Sequence, residues 1–369
     1  MLAKKSVQMA KLLKNLYNKE YLYILTNEIH KVYKEFDKLT FLKIIFDENW
    51  EQKELKQRIR HISTSIGLFL DFKYEKKIDI LKKVFISMPS KYYMENFIFQ
   101  DFVEVYGLNE FSISMKALEI FTENSSSEFA IRQFILKYPE QTMLQMKKWT
   151  ASSSLHVRRL ASEGCRPRLP WAIALSEFKK NPLPVVEILE LLKDDESVYV
   201  RKSVANSLND ISKDTPNIVK KLLKEWLHVE PKRKALLKHA CRTLLKAGDT
   251  EVLEIFGFTK PTALHVEDFK CSSEIEKEKN LEFSFLLKSD EVLGKLRVEY
   301  KLYFLRANKT YGTKVFKISE FNSTCREKKI SKKHSFKTIS TRKYYTGIQK
   351  IEIIINGVEF LIYNFKLSV

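Results

Sequence analysis

Apolar residues recur every three or four positions through the first 255 residues of the chain, which is the spacing of amphipathic helices. Leu55, Ile59, Ile62, Ile66 and Leu70 form one such series. Glycine is rare in this part of the sequence, so few breaks interrupt the pattern. The pattern predicts one helix after another over residues 1–258.

The pattern changes to alternation with a period of two after about residue 260, which indicates β-strands. Four runs show it: LEFSFLLK, KLRVEYKLYFLR, TKVFKISEF and KIEIIINGVEFLIYNF. The pair Asn356-Gly357 inside the last run is a strong signal for a two-residue hairpin turn. Pro261 in the segment FTKPTALH interrupts helical continuation. We therefore predict a second domain over residues 262–369, a β-sandwich of immunoglobulin-like size.

A short motif recurs in the helical part, in which an acidic or serine-rich turn precedes an aliphatic residue and an arginine at the start of an apolar helix. It reads SSSEFAIRQFI around Arg132, SSLHVRRLAS around Arg158 and DESVYVRKSVANSL around Arg201. Such repetition is typical of HEAT-like repeats, whose helix pairs stack into a curved solenoid with a concave binding surface. The predicted fold is mainly α, with a HEAT-like α-solenoid followed by an immunoglobulin-like β-sandwich.

The charge of the chain favours a polyanionic partner. Its 369 residues include 65 Lys and Arg against 46 Asp and Glu, a net charge of +19. Nucleic acid is favoured over an anionic membrane face. No segment reaches the roughly 20 consecutive apolar residues that cross a bilayer. The N-terminal segment mixes lysines into its apolar positions, unlike a signal peptide, and we therefore expect a cytoplasmic protein associated with the nucleoid.

Metal and cofactor chemistry have no support in the sequence. The four cysteines are widely separated and form no CxxC or Cys/His ligand spacing, so we expect reduced thiols and no metal site. Glycine-rich nucleotide-binding motifs are also missing, and no cofactor is predicted.

Three acidic residues are expected at related places in successive repeats: Glu128, Glu163 and Asp210. On inner helices of a solenoid they could converge on one spot of the concave surface. The alternative is that they are helix-surface acids paired with nearby arginines. An acid inside a basic DNA groove weakens binding to phosphates, so it needs a chemical reason, and a reaction that develops positive charge supplies one.

The segment HVRRLASEGCRPRLPW surrounds Glu163 with arginines. Forked guanidinium groups match phosphate oxygens, so residues facing the groove would hold a DNA backbone. The alternative is that the arginines brace neighbouring repeats. We assign Arg158 and Arg201 to bracing, and the following four residues to phosphate binding: Arg159, Arg166, Arg168 and Lys202.

Trp171 closes the same segment directly after Pro170. An indole in this place is either packed in the core or presented to a sugar or a cationic base. Trp149 and Trp226 lie in apolar helical contexts and are predicted to be core residues.

The C-terminal domain carries its own basic segment. Residues 322–350 contain nine Lys and Arg residues and one acid, Glu327. Either this segment is a solvated face or it contacts the DNA backbone. The candidate contact residues are Lys328, Lys329, Lys332, Lys333, Arg342 and Lys343.

Taken together, HVRRLASEGCRPRLPW, SSEFAIRQFI and VRKSVANSLNDISKDTP resemble the AlkC branch of the HEAT-like-repeat DNA alkylation-repair glycosylases, which also include AlkD. The motifs KELKQRIRHIS, KVFKISEF and STRKYYTGIQKIEIIINGVEF resemble the long form of AlkC, which carries an immunoglobulin-like domain. The resemblance covers nearly the whole chain beyond about residue 35.

The resemblance implies a monofunctional DNA glycosylase that hydrolyses the N-glycosidic bond of cationic bases such as 3-methyladenine and 3-methylcytosine. It places the family's active-site carboxylates on Glu128, Glu163 and Asp210, its groove aromatic residue on Trp171, and its DNA-contacting arginine on Arg159. It also implies that the lesion is approached without full base flipping. The expected partner is double-stranded DNA containing alkylated bases, bound by a monomer with no obligate protein partner.

A second interpretation belongs to a different class of protein. A non-enzymatic HEAT-repeat scaffold that binds DNA or another acidic partner would need the arginines. It would not need Glu163, Asp210 and Trp171 to meet. Convergence of these side chains in one basic groove therefore distinguishes the two interpretations.

Overall fold

The protein is described by a computed structural model, which covers residues 13–230, 233–339 and 342–369. Its internal contacts divide these residues into two compact units. One unit contains residues 13–219 and 226–240, and the other contains 220–225 and 241–369. Among the described residues, no helix combines the length and apolar character needed to cross a membrane.

The helices of the described part follow one another closely from residue 19 to residue 255. They are α1 (Lys19–Val32), α2 (Lys38–Ile45), α3 (Leu55–Phe69), α4 (Tyr74–Ser87), α5 (Phe97–Tyr106), α6 (Phe111–Phe121), α7 (Ile131–Lys137), α8 (Pro139–Trp149), α9 (Leu155–Gly164), α10 (Ser176–Lys180), α11 (Leu183–Leu192), α12 (Val198–Ile211), α13 (Pro216–Val229), α14 (Lys234–Ala240), α15 (Arg242–Ala247) and α16 (Thr250–Ile255). Short 3₁₀ turns occupy Trp50–Gln52 and Ser90–Tyr92. The predicted helical pattern is confirmed.

Helix α3 shows how the apolar spacing becomes a core. Ile59, Ile62 and Ile66 are buried along one face of the helix, which packs on α5. Each buried aliphatic side chain contributes about 1.5–3 kcal/mol relative to an exposed one. Tertiary packing therefore stabilises the helix more than its intrinsic propensity does.

The repeat motifs fall at the beginning of three helices. The pairs Ile131-Arg132, Val157-Arg158 and Val200-Arg201 fall in the first turns of α7, α9 and α12. Helix α9 packs on α12, and α12 packs on α14. This arrangement confirms the predicted α-solenoid of stacked helical repeats.

The strands of the second unit form two sheets. They are β1 (Leu264–Cys271), β2 (Glu274–Glu276), β3 (Asn280–Ser289), β4 (Gly294–Leu305), β5 (Tyr311–Ser323), β6 (Glu327–Ser335), β7 (Gly347–Ile355) and β8 (Val358–Ser368). One sheet has the order β1-β3-β6, and the other has the order β2-β8-β7-β4-β5. Aromatic and aliphatic side chains of both sheets form one buried core, including Phe285, Val298 and Ile353. The predicted β-sandwich is confirmed.

The Asn356-Gly357 hairpin joins β7 to β8 as predicted, with Ile355 paired to Val358 across a two-residue turn. Both turn residues have positive φ, 47° for Asn356 and 80° for Gly357. Glycine is favoured at 357, because this φ is strained for other residues and a Cβ atom there would lie 3.2 Å from the backbone of Gly248. Asn356 also donates to the carbonyl of Thr259 at 2.8 Å, which fixes the chain entering the sandwich.

Strand β6 was not predicted, since its sequence EKKISKKHS is dominated by lysines. It pairs with β3 along its full length at the edge of the smaller sheet. Lysine is favoured on edge strands because its charge opposes further strand pairing. Only Ile330 of this strand is buried, and β3 supplies the apolar partners.

The contact units divide the chain differently from the predicted domains. Helices α15 and α16 fall in the unit that contains the sandwich, together with residues 220–225 of α13. The division of the chain into a helical domain over residues 1–258 and a β-sandwich domain over residues 262–369 stays a prediction.

Candidate active site

The site is built on the C-terminal end of helix α9 and the irregular segment that follows it. Ser154 caps the helix, its hydroxyl accepting hydrogen bonds from the backbone N–H groups of His156 and Val157. Gly164 ends the helix against α7, where a Cβ atom would meet the Ile131 side chain at 2.6 Å. The segment 165–175 then runs without regular structure to α10.

Arg166 links two of the predicted acids. Its Nη1 donates to Glu163 Oε1 at 2.5 Å, and its Nε donates to Asp210 Oδ2 at 2.9 Å. All three side chains are buried. Burial lowers the pKa of Arg166, but the two carboxylates outweigh that effect and raise it overall. The guanidinium is therefore a fixed charge between the acids.

Arg159 connects the third acid to this network. Its Nη1 bonds Glu128 Oε2 and donates to Ser126 Oγ at 2.9 Å, while its Nη2 lies 3.3 Å from Glu163 Oε1. Ser126 Oγ donates to Glu128 Oε2 at 2.8 Å. Burial lowers the pKa of Arg159, yet Glu128 and Glu163 raise it overall.

The remaining oxygens of the acids have different environments. Glu163 Oε2 accepts from Ser203 Oγ at 2.6 Å, so both oxygens of Glu163 are occupied. Asp210 Oδ1 accepts from Lys213 Nζ at 2.9 Å. Among the described residues, no group donates to Oε1 of Glu128. The hydrogen bonds of this carboxylate with Ser126 and Arg159 are accepted by Oε2. Glu128 is thus the acid with a carboxylate oxygen available to a ligand.

A cavity of about 340 Å³ brings together residues from several repeats. Aromatic rings surround two acids and two arginines in it, which is a mixed apolar and charged lining. The lining residues are Tyr93, Met94, Phe97, Ser126, Glu128, Phe129, Arg159, Glu163, Arg166, Leu169, Pro170, Trp171 and Tyr199. Asp210 is absent from this lining and lies behind Arg166, with 1% of its surface exposed.

Trp171 stands at the edge of this cavity in an unusual backbone conformation. Its φ is 64°, in the left-handed region, and 63% of its surface is exposed. Such a conformation in a bulky residue costs of order 1–3 kcal/mol and persists only where surrounding contacts impose it. Lys56 of α3 donates to the Trp171 carbonyl. Trp171 also lines a neighbouring cavity of about 610 Å³ beside α3 and α5.

The structure brings together Glu128, Glu163, Trp171 and Arg159 from the predicted set, with Arg166 between Glu163 and the buried Asp210. Arg168 lies outside this cavity and forms a two-point ion pair with Asp214, at 2.9 and 2.7 Å. Lys202 is exposed on α12. Phosphate contact by Arg168 and Lys202 stays a prediction. The buried position of Arg166 suits a residue that links two acids better than one that binds phosphate.

The bracing assignment divides between Arg158 and Arg201. Arg158 Nε donates to Asp195 at 2.6 Å in the turn before α12, and its Nη1 donates to the carbonyls of Ser152 and Ser153. This bridge to the next repeat confirms the assignment for Arg158. Arg201 instead bonds the backbone of its own preceding turn, at Asp195 and Glu196.

Trp149 and Trp226 are buried, as predicted for core residues, and each indole N–H is bonded to a glutamate. Trp149 donates to Glu119 at 2.9 Å, and Trp226 donates to Glu190 at 2.6 Å.

The basic residues of the sandwich do not form one continuous face. Lys329 and Lys333 are exposed on one side of β6, where Lys333 pairs with Glu282 at 2.6 Å. Lys328 lies over the Phe321 ring at 4.4 Å, and Lys332 is half-buried. Outside the strand, the guanidinium of Arg342 lies 3.6 Å from the centre of the Phe304 ring, and the ammonium of Lys343 lies 5.5 Å from that of Tyr345. Their contact with DNA stays a prediction.

Sequence reasoning missed several residues of the site. Tyr93 and Tyr199 line the cavity, and the Arg159 guanidinium lies 5.2 Å from the centre of the Tyr199 ring. Burial and the neighbouring Tyr199 raise the pKa of Tyr93. Tyr199 could have been found by aligning YVR with HVR, since His156 and Tyr199 occupy equivalent positions and their rings pack edge to face. Nothing in the sequence around Tyr93 indicated it.

The cysteines are free thiols, with Cys165 and Cys241 buried. Burial raises the pKa of Cys165 to about 12. Within the described ranges, no group of three His, Cys, Asp or Glu side chains is arranged to hold a metal ion.

Family comparisons agree with this architecture. Residues 122–244 match the model of the DNA alkylation repair enzyme family. Residues 265–369 match the model of the C-terminal immunoglobulin-like domain of the uncharacterised protein YhaZ. With its stacked repeats, acid-and-arginine cavity and C-terminal sandwich, the chain belongs to the AlkC branch of the DNA alkylation repair enzymes, in the long form with an immunoglobulin-like domain.

Two individual relatives extend over almost the whole chain. The uncharacterized protein YhaZ of Bacillus subtilis (strain 168) is 41% identical over 347 residues, which are 94% of this chain and 96% of YhaZ. The structure of the Pseudomonas fluorescens alkylpurine DNA glycosylase AlkC, bound to DNA containing an abasic site analog, has a TM-score of 0.91 and 32% identity. That match covers 97% of this chain and 99% of AlkC.

Proposed function

We propose that this protein is a DNA glycosylase that removes cationic N-alkylated bases from double-stranded DNA by hydrolysis of the N-glycosidic bond. The observation that carries the proposal is the convergence of Glu128, Glu163 and Trp171 on one cavity. The expected meeting of Glu163, Asp210 and Trp171 is only partly found, because Asp210 is buried behind Arg166 and does not line the cavity. Carboxylates in a groove that binds phosphates weaken binding, so a DNA-binding scaffold would gain from Glu128 and Glu163 only their ion pairs with Arg159 and Arg166. A reaction that develops positive charge on the sugar uses the carboxylates themselves.

The chemistry requires little beyond fixed negative charge and one water molecule. The bond between C1′ and the base nitrogen breaks, and its electron pair neutralises the cationic base, which leaves. The deoxyribose then carries oxocarbenium-like charge that a carboxylate stabilises. Water adds to C1′ and transfers a proton to a carboxylate, which releases it to solvent.

The contacts of the two acids in the cavity support different roles. Glu163 accepts hydrogen bonds from Arg166 and Ser203, so its charge is fixed in position. Glu128 keeps Oε1 available and is the better placed of the two to accept the water proton. Asp210, behind Arg166, acts in this proposal by holding that arginine.

The lesions we propose are 3-methyladenine and 3-methylcytosine, whose positive charge makes them good leaving groups. Trp171 would then lie against the deoxyribose of a lesion that is not fully flipped. Arg159, Arg168 and Lys202 would contact phosphates, and the sandwich would add further backbone contacts. The protein would act as a monomer without a cofactor.

The decisive experiment incubates the purified protein with DNA carrying each methylated base and identifies the released base by mass spectrometry. We expect free methylated base and intact strands with abasic sites. Glu163→Gln serves as the inactive control and Glu177→Gln, an exposed acid of α10, as the matched active control. DNA binding without base release by the wild-type protein would favour the alternative, a non-enzymatic scaffold.

A further inference from the structure

Arg132 is a buried arginine that neither the charge pattern nor the proposed chemistry uses. It begins α7 in the motif AIR, and its side chain is fully buried. Burial lowers the pKa of Arg132 to about 10, so it remains charged at neutral pH. A buried charge is costly unless it is fully hydrogen-bonded. The hydrogen-bond acceptors of Arg132 therefore show which part of the chain this side chain holds in place.

All of its side-chain hydrogen bonds reach the last residue of α9 or the irregular segment that follows it. Nη1 donates to the carbonyls of Gly164 and Arg166 at 2.9 and 2.8 Å, and Nε donates to the carbonyl of Ile173 at 2.8 Å. One guanidinium therefore fixes the segment on both sides of Trp171. The same contacts fix the backbone of Arg166, whose side chain clamps two acids.

We infer that Arg132 is a positioning residue that holds Trp171 and the Arg166 clamp in one rigid arrangement. The strained φ of Trp171 requires an outside constraint, and Arg132 supplies it from the buried side while Lys56 binds the Trp171 carbonyl from the exposed side. The inference rests on the proposed function for its effect on excision. Its effect on Trp171 is independent of any activity.

The chain offers a matched control at the equivalent position of the next repeat. Arg158 is also buried and donates to two backbone carbonyls, but these belong to Ser152 and Ser153, away from the segment that carries Trp171. Arg132→Lys and Arg158→Lys therefore make the same change at two buried arginines that bind backbone carbonyls, although Arg158 also forms an ion pair with Asp195. A general loss of stability should affect both variants.

Trp171 itself provides the spectroscopic readout. Trp50, Trp149 and Trp226 are at most 4% exposed, whereas Trp171 is 63% exposed. Quenching of tryptophan fluorescence by acrylamide therefore reports mainly on Trp171, and Trp171→Phe gives the background. We expect Arg132→Lys to change the quenching of Trp171 and Arg158→Lys to leave it as in the wild type.

Single-turnover excision at saturating protein is the second readout. We expect Arg132→Lys to lower the rate about 10- to 100-fold with little change in affinity for undamaged DNA, because small misplacements of reacting groups have effects of this size. Arg158→Lys should stay within about threefold of the wild type despite any loss in Tm. If Arg132→Lys does not fold, Arg132→Gln replaces it, because glutamine keeps an N–H donor without the buried charge. We expect the same changes in quenching and excision for this variant.

Unchanged quenching in a folded Arg132 variant, or equal loss of excision in both lysine variants, would overturn the inference. If the wild-type protein releases no base, the proposed function fails. The quenching comparison then still decides whether Arg132 positions Trp171.

Discussion

Arg166 reaches Asp210 from 44 positions earlier in the sequence, with Nε and Nη2 at 2.9 and 2.8 Å from Oδ2. The contact joins the segment after α9 to the end of α12, two neighbouring repeats. Because Asp210 is buried behind the guanidinium, we expect it to affect a bound nucleotide through Arg166.

The first prediction concerns Glu163. Glu163→Gln should lower single-turnover excision of a methylated base by about 100-fold or more, the usual cost of removing an electrostatic stabiliser of a transition state. Affinity for undamaged DNA should stay equal or rise, because a negative charge leaves the groove. Excision kinetics and a binding titration, beside Glu177→Gln, measure both effects. Excision at the wild-type rate would remove Glu163 from the mechanism.

The second prediction concerns the coupling of Asp210 and Arg166. Asp210→Asn and Arg166→Lys should each reduce excision strongly, and the double variant should lose far less than the two losses combined. Residues that act through one contact are not additive. A double-mutant cycle on the excision rate tests this. Additive losses would mean that Asp210 acts independently of the clamp.

The third prediction is that excision does not depend on a divalent metal ion. The acids of the site are already bound by arginines, two serines and a lysine, and the described residues contain no ligand group of the kind a catalytic metal needs. The rate in EDTA should match the rate in its absence. Loss of excision in EDTA, restored by a divalent ion, would contradict the hydrolysis scheme.

The fourth prediction concerns the lysines of β6. Reversing Lys328, Lys329, Lys332 and Lys333 to Glu should weaken DNA binding and flatten the plot of log affinity against log salt. The expected change is roughly one unit of slope per lost phosphate contact. Excision at saturating protein should change much less. The effect should come mainly from exposed Lys329 and Lys333, since Lys328 packs on Phe321.

The matched control reverses four exposed lysines elsewhere in the sandwich: Lys277, Lys279, Lys309 and Lys317. An equal change of slope in the control would assign the effect to net charge rather than to β6. Charge reversal is preferable to truncation after residue 258, because α15 and α16 share a contact unit with the sandwich.

The fifth prediction concerns pH and His334. Burial, followed by the charges of Arg342, Lys314 and Lys332, lowers the pKa of His334 to about 4 from an ordinary value near 6.5. Between about pH 6.5 and pH 4, the unfolded chain binds a proton at His334 that the folded chain excludes. The free energy of unfolding is therefore highest above pH 6.5 and falls as the pH drops towards 4. The loss amounts to about 2–3 kcal/mol.

Denaturant unfolding at several pH values measures this dependence. His334→Gln, which cannot titrate, should flatten it between pH 6.5 and 4, while His265→Gln at an exposed position should leave it unchanged. A dependence that survives in His334→Gln would assign acid sensitivity to other groups. Gln is chosen because His334 is hydrogen-bonded to the Tyr300 hydroxyl, at 2.8 Å.

Much of the architecture was predictable because it follows from local patterns. The apolar spacing of α3 and the alternation in β3, β4, β7 and β8 are properties of neighbouring residues, and Asn356-Gly357 specifies its turn through φ alone. Strand β6 escaped prediction because its pairing energy comes from β3 and not from its own lysine-rich sequence. The resemblance to a known family was likewise carried by contiguous motifs.

The site is different, because the expectation that its acids lie at related places in successive repeats was wrong. Glu128 precedes Arg132 by four residues, Glu163 follows Arg158 by five, and Asp210 follows Arg201 by nine. The sequence by itself determined the residue types, the helices that carry them and the basic charge around them. Only the tertiary structure decided that Glu128 and Glu163 line one cavity while Asp210 lies behind Arg166. The reason is physical: a carboxylate's role depends on its burial and on which donors reach it, and both come from residues distant in the chain.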